Sequence, residues 1–128
     1  MKTNLFDNFL ERKWAKDHGV NYVNVPIMIQ FYSESNMASM REVYENMLLL
    51  PKPILVYCTR GSDRTGIAVA IYRILANNWT YNDAVKEMDS LGFNDLFYFW
   101  KMFLRDIYIN RDKINTNRRI LWTQQPSQ

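Results

Sequence analysis

Cysteine and histidine are almost absent, with one of each, Cys58 and His18, in 128 residues. A lone cysteine excludes a scaffold held by internal disulfides, as small secreted domains often are. No run of about 18 apolar residues occurs, so no transmembrane segment is expected. The opening residues, Met1-Lys2-Thr3-Asn4-Leu5-Phe6-Asp7, lack the apolar centre of a signal peptide, and a cytoplasmic location is the expectation. No internal repeat is visible. Charge of one sign is also scarce: 16 Lys and Arg against 13 Asp and Glu leave +3, with a pI near 9.0. That excess suits an anionic substrate without singling out nucleic acid, and no nucleic-acid partner is expected. Arg111, Lys113, Arg118 and Arg119 read as a solvated basic tail.

What is present is a core of modest size. Apolar residues make up 48% and aromatics 15%, enough to fill one domain. The spacing predicts a domain over residues 1–110 and a polar basic tail over 111–128. Helical periodicity is expected over 5–18, 37–50, 65–77, from Tyr81 to Gly92, and over 94–110. Ser35 or Ser39 is a candidate cap for the second of these, and Thr80 with Asp83 resembles a capping box for the fourth. The methionines on the second helix fall at core spacing. Val20 to Pro26 and Ile54 to Cys58 are rich in strand formers and read as strands. The expected fold class is therefore α/β, with two clear strands, 20–26 and 54–58, and about five helices around them.

The organising stretch is Val56-Tyr57-Cys58-Thr59-Arg60-Gly61-Ser62-Asp63-Arg64-Thr65-Gly66. An apolar run precedes it and an apolar helix, beginning Ile67-Ala68-Val69-Ala70-Ile71, follows it. A short loop between a buried strand and a buried helix points backbone N–H groups at an anion, and the helix dipole adds partial positive charge. Five residues separate Cys58 from Arg64, a spacing that lets the loop curl around one phosphoryl group. The Arg64 guanidinium then forks onto its oxygens. A thiol near a helix N-terminus and arginine ionises below its free pKa of about 8.5 and becomes a nucleophile. The bland alternative for Cys58 is a small core residue. Arg60, Asp63 and Arg64 have no packing rationale between a buried strand and a buried helix.

The Cys-x5-Arg-Thr run resembles the signature of the cysteine-dependent phosphatases. The likeness extends in register to His18-Gly19-Val20-Asn21-Tyr22-Val23-Asn24-Val25-Pro26, to Asp63-Arg64-Thr65-Gly66, and to the segment from Asn78 to Met88 followed by Gly92-Phe93. Over roughly residues 8–107 the chain is similar to the small bacterial dual-specificity-type tyrosine phosphatases. The resemblance implies that these strands form a reduced phosphatase-type parallel sheet, and it implies a phosphomonoester hydrolase working through a phosphocysteine, without cofactor or metal. It assigns catalysis to Cys58, Arg64, Asp63 and Thr65, and substrate binding to Thr59, Arg60, Gly61, Ser62, Asp63 and Arg64. Thr65 would hydrogen-bond the sulfur as it leaves. A phosphate or sulfate ion is the expected occupant of the loop.

The chain departs from this pattern in three places. Tyr57 stands where the family has a histidine before the nucleophile, which weakens support for the thiolate. Residues 27–37 hold no aspartate to act as general acid, so Asp63 is the first candidate and Glu34 the alternative. Asp63 has a competing structural role, as a partner for Arg60 or the loop amides. About two strands that the family places before the first helix are missing, which leaves open sheet edges and predicts a homodimer that completes the sheet. Expected substrates are phosphorylated proteins. Arg60 favours a phosphoinositide as an alternative, while Ser62 stands where inositide-directed relatives carry lysine. A phosphate-binding module without turnover, a pseudophosphatase, is the other reading.

Overall fold

The apolar stripes read above fold into helices that gather around one of their number. A computed structural model describes residues 9–25, 27–30, 33–52, 54–56 and 63–116. In chain order the helices are α1 (Phe9–Asp17), α2 (Glu34–Leu49), α3 (Arg64–Leu75), α4 (Tyr81–Ser90), a 3-10 turn (Asp95–Phe97), α5 (Tyr98–Ile109) and α6 (Arg111–Thr116). Helix α3 is the hub and packs against α2, α4, α5 and α6. Its Gly66, Ile67, Ala68, Ala70, Ile71, Ile74 and Leu75 are all buried, as expected of a helix apolar almost all round.

Local chemistry sets the ends of these helices. Ser33 caps α2, its hydroxyl accepting from the Asn36 N–H at 3.2 Å, so neither Ser35 nor Ser39 is the cap. Helix α2 stops at Leu49, just before Pro51, and buries Met37, Met40, Val43, Tyr44 and Met47. Thr80 caps α4, accepting from Asp83 N–H at 3.2 Å. Gly92 follows that helix with φ at 96°, a conformation side chains disfavour. Arg73 of α3 grips Glu87 of α4 with Nε and Nη2, at 3.0 and 3.3 Å, and lies over the Trp79 ring at 4.5 Å. Lys101 of α5 reaches Asp89 and Asp95, each at 3.0 Å, and so joins α4, the 3-10 turn and α5.

The last described helix belongs to the packed body. Ile114 of α6 is buried, and Asn115 Nδ2 donates to the Leu75 carbonyl at 3.2 Å, where α3 has run out of its own donors. Regular packing thus reaches residue 116, beyond the point at which periodicity fades in the sequence.

The expected α/β class is corrected. No strand and no parallel sheet occur among the described residues, which are mostly helical. Residues 20–25 and 54–56 carry no ladder, and Asn24 alone is a bridge residue. Pro26, Tyr57 and Cys58, which completed the two expected strands, lie outside the described residues. The reason for the misreading is visible. In the expected strands Val25 is buried and Val23 packs on the core while Val20 is 51% exposed, and Leu55, at 72%, lies between half-buried Ile54 and Val56, which is strand-like alternation. Among the described residues, Ile27 O, Met28 N–H, Met28 O and Ile29 O are all bonded by side chains, and none by a strand. Strand-like residue choice here reports an extended segment half-buried on helices. The expected dimer was argued from open sheet edges, and that argument loses its premise.

Helix α1 is a second departure. Its sequence stripe suggested a core face, yet Leu10 and Trp14 are 73% and 58% exposed and only Ala15 is buried among the residues whose side chains are described there. A cavity of about 580 Å³ opens beside it, bordered by Leu10, Trp14, Val20, Tyr22, Leu50 and Leu55, among others.

Candidate active site

The residues proposed from sequence fall at the N-terminal end of α3 and in the loop before it. Cys58, Thr59, Arg60, Gly61 and Ser62 lie outside the described residues, as does Tyr57. Asp63, Arg64 and Thr65 are described, and each is half-buried.

Arg64 is the first residue of α3, so its side chain leaves the helix in its first turn. Its Nε–H donates to the Ile27 carbonyl oxygen at 2.8 Å. With Nε held this way, the two terminal nitrogens remain as a fork. Thr65 follows, and its Oγ1 is buried with no hydrogen-bond partner among the described residues. A buried hydroxyl left unpaired costs about 1–3 kcal/mol, so this oxygen calls for a partner.

Asp63 occupies the cap position of α3 but makes no side-chain cap bond. Its Oδ1 instead accepts from the Asn94 N–H at 3.0 Å. The first-turn amides of α3 are therefore not spent on this carboxylate. The structural alternative weighed for Asp63 was a tie to Arg60 or the loop amides; the described partner is a different backbone group. Gly66 explains the closeness of that neighbouring turn. A Cβ there would stand 3.1 Å from Met88 Cγ and 4.0 Å from Phe93 Cδ1. Glu34, the alternative acid, is the exposed first residue of α2.

Residues 27–29 form the other wall. Asn36 of α2 holds Met28 twice: Oδ1 accepts from Met28 N–H at 3.2 Å, and Nδ2 donates to Met28 O at 2.9 Å. Trp100 Nε1–H donates to Ile29 O at 2.8 Å. Neither Asn36 nor Trp100 was singled out from sequence as a site residue. A signal for Asn36 existed, because it lies one turn before Met40 on the buried stripe of α2, where a polar residue needs a reason. Trp100 lies 71 residues from its acceptor, and no local pattern announces the pair. Among the described residues no group of three or more His, Cys, Asp or Glu side chains is arranged to hold a metal ion.

Comparison with known proteins adds an independent line. A profile described as the tyrosine phosphatase family matches residues 7–79. The dual specificity protein phosphatase TpbA of Pseudomonas aeruginosa strain UCBPP-PA14 is 29% identical over 87 residues, which are 66% of this chain and 38% of that protein. TpbA of strain PAO1 is 42% identical over 43 residues, 34% of this chain and 20% of the relative. The chain thus spans well under half the length of these relatives. No solved structure matches.

Proposed function

The chain belongs to the tyrosine phosphatase family, and from that premise we propose that it hydrolyses phosphomonoesters through a phosphocysteine on Cys58. The observation that carries the reading is the Cys-x5-Arg-Thr run ending on α3, with Arg64 at the loop's mouth and its Nε fixed by Ile27. In the first step the Cys58 thiolate attacks phosphorus. The ester P–O bond breaks and the leaving oxygen takes a proton, while the terminal nitrogens of Arg64 and the loop amides hold the phosphoryl oxygens. In the second step water attacks phosphorus, the P–S bond breaks and phosphate leaves. The Thr65 hydroxyl donates to the departing sulfur, a role consistent with its buried and unpartnered oxygen.

Asp63 remains the first candidate for the proton donor, ahead of Glu34. Its Oδ1 accepts from Asn94 N–H, so in this reading Oδ2 is the oxygen that carries the proton. Substrates of this reading are phosphorylated tyrosine, serine or threonine side chains. Phosphoinositides are the variant that Arg60 favours.

The test uses p-nitrophenyl phosphate and a phosphotyrosine peptide with wild type and Cys58→Ser. Metal-independent hydrolysis lost in Cys58→Ser is the expected result, and equal rates in the two proteins reject the reading. A second reading, phosphate binding without turnover, draws on Tyr57 and on the engagement of Asp63 with Asn94. It is selected if phosphate protects Cys58 from iodoacetamide while neither substrate is turned over.

A further inference from the structure

Arg64 does not meet its substrate as a free side chain. Its Nε is committed to one carbonyl, so the plane of its fork follows wherever that carbonyl sits. Ile27 O belongs to a three-residue segment that, among the described residues, has no strand partner and is held by the side chains of Asn36, Arg64 and Trp100. Asn36 supplies both contacts to the central residue, Met28, and is the only buried polar or charged residue among those described, at 9% exposure. Trp100, fully buried, supplies the contact to Ile29. A carboxamide is the side-chain group that can accept from and donate to one residue's backbone at once. An alanine would leave Met28 N–H and C=O without these two bonds.

We infer that Asn36 is a positioning residue for Arg64: by clasping Met28 it fixes the Ile27 carbonyl, and that carbonyl aims the guanidinium at the phosphoryl group. This rests on the reading of Cys58 and Arg64 given above. Asn36 itself touches neither substrate nor sulfur in this scheme. Trp100 performs the same service from the other end of the segment, two residues from Ile27, and its effect on Arg64 is the weaker one.

The proposal separates aim from stability. Misplacing a group by about 1 Å costs on the order of 10²-fold in rate. Since the fork grips hardest when charge develops on the phosphoryl oxygens, the loss falls on kcat more than on KM. Asn36→Ala is expected to lower kcat by about 30-fold and to change KM by less than about threefold. Trp100→Phe, which keeps an aromatic ring but removes the N–H, is expected to lower kcat by about fivefold.

Ile114→Ala is the control, because Ile114 packs at the far end of α3 and serves no part of the site. It is expected to lower thermal stability while leaving kcat within about twofold. A direct readout is the Arg64 Nε–H signal in 15N NMR: protected from solvent exchange in wild type and in Ile114→Ala, and fast-exchanging in Asn36→Ala. A protected Arg64 signal in folded Asn36→Ala, or in the near-isosteric Asn36→Asp, which cannot donate to Met28 O, should Asn36→Ala not fold, overturns the inference. So does a kcat loss no larger than that of Ile114→Ala at the same stability. If Cys58→Ser keeps full hydrolysis, the phosphocysteine reading falls, while the NMR comparison still decides whether Asn36 orients Arg64.

Discussion

Two parts of this molecule use similar apolar residues to different ends. Around α3, the side chains of α2, α4, α5 and α6 close over one another, and Trp100, Leu104, Ile71 and Ile74 are sealed from solvent. Around α1 and residues 20–23, Leu10, Trp14, Val20 and Leu55 stay exposed beside an open cavity. The difference is one of partners. Each helix in the first group has a neighbour on its apolar face, whereas the described residues give α1 little to lie against. The lesson is that the candidate site draws its rigidity from the first region. Asp63, Arg64 and Thr65 sit on α3, and the opposite wall is pinned to α2 and α5.

The comparison breaks most readily at tryptophan. Trp100→Ala should cost about 3–5 kcal/mol in urea denaturation, because it empties a sealed site and leaves Ile29 O without its donor. Trp14→Ala should stay within about 0.5 kcal/mol. Similar losses for the two would mean that α1 is as firmly packed as α5.

A sharper test concerns the contact beneath the loop. Gly66→Ala should destabilise by about 1–3 kcal/mol, since its new methyl meets Met88 Cγ inside a packed interface. In a Met88→Ala background the same change should cost nothing or stabilise by up to about 1 kcal/mol, the helix preference for alanine then acting alone. An equal cost in both backgrounds would place the clash elsewhere.

The smallest effect is electrostatic. Desolvation by itself lowers the Lys101 pKa, but hydrogen bonds and charge from Asp89 and Asp95 outweigh it and raise it above the ordinary 10.5. A raised base contributes stability that is fully present below its unfolded value and is lost as pH climbs through the folded one. Wild type should therefore lose slightly more stability than Lys101→Met as pH rises above 10.5. The difference should be under about 1 kcal/mol, as Asp95 is largely exposed. Parallel curves for the two proteins would remove Lys101 from the account of how the 3-10 turn is held.

Much of the helical pack was legible because its signals are local. The Thr80 cap, the apolar surround of α3 and the Met stripe of α2 each lie within a few residues of one another. The Cys58 to Arg64 motif is read locally too, since chemistry dictates its spacing, but residues 57–62 lie outside the described ones. The sheet was not, because strand formers such as Val23, Val25, Ile54 and Val56 signal burial on one side and say nothing about what bonds the backbone. Asn36, Trp100 and the tie from Asn94 to Asp63 were missed because each joins groups brought together only by folding. Ser33 was passed over because two other serines stood nearer the apparent start of α2.

The bond from Asn115 to Leu75 has a practical corollary. It ends the same helix whose other end offers Arg64, so the two extremities of α3 are tended by parts of the chain far apart in sequence. A shortened protein halted at residue 110 would uncap that helix and uncover the apolar ground now under Ile114. Anyone trimming the C-terminus for expression or crystallisation does better to keep residues 111 to 116.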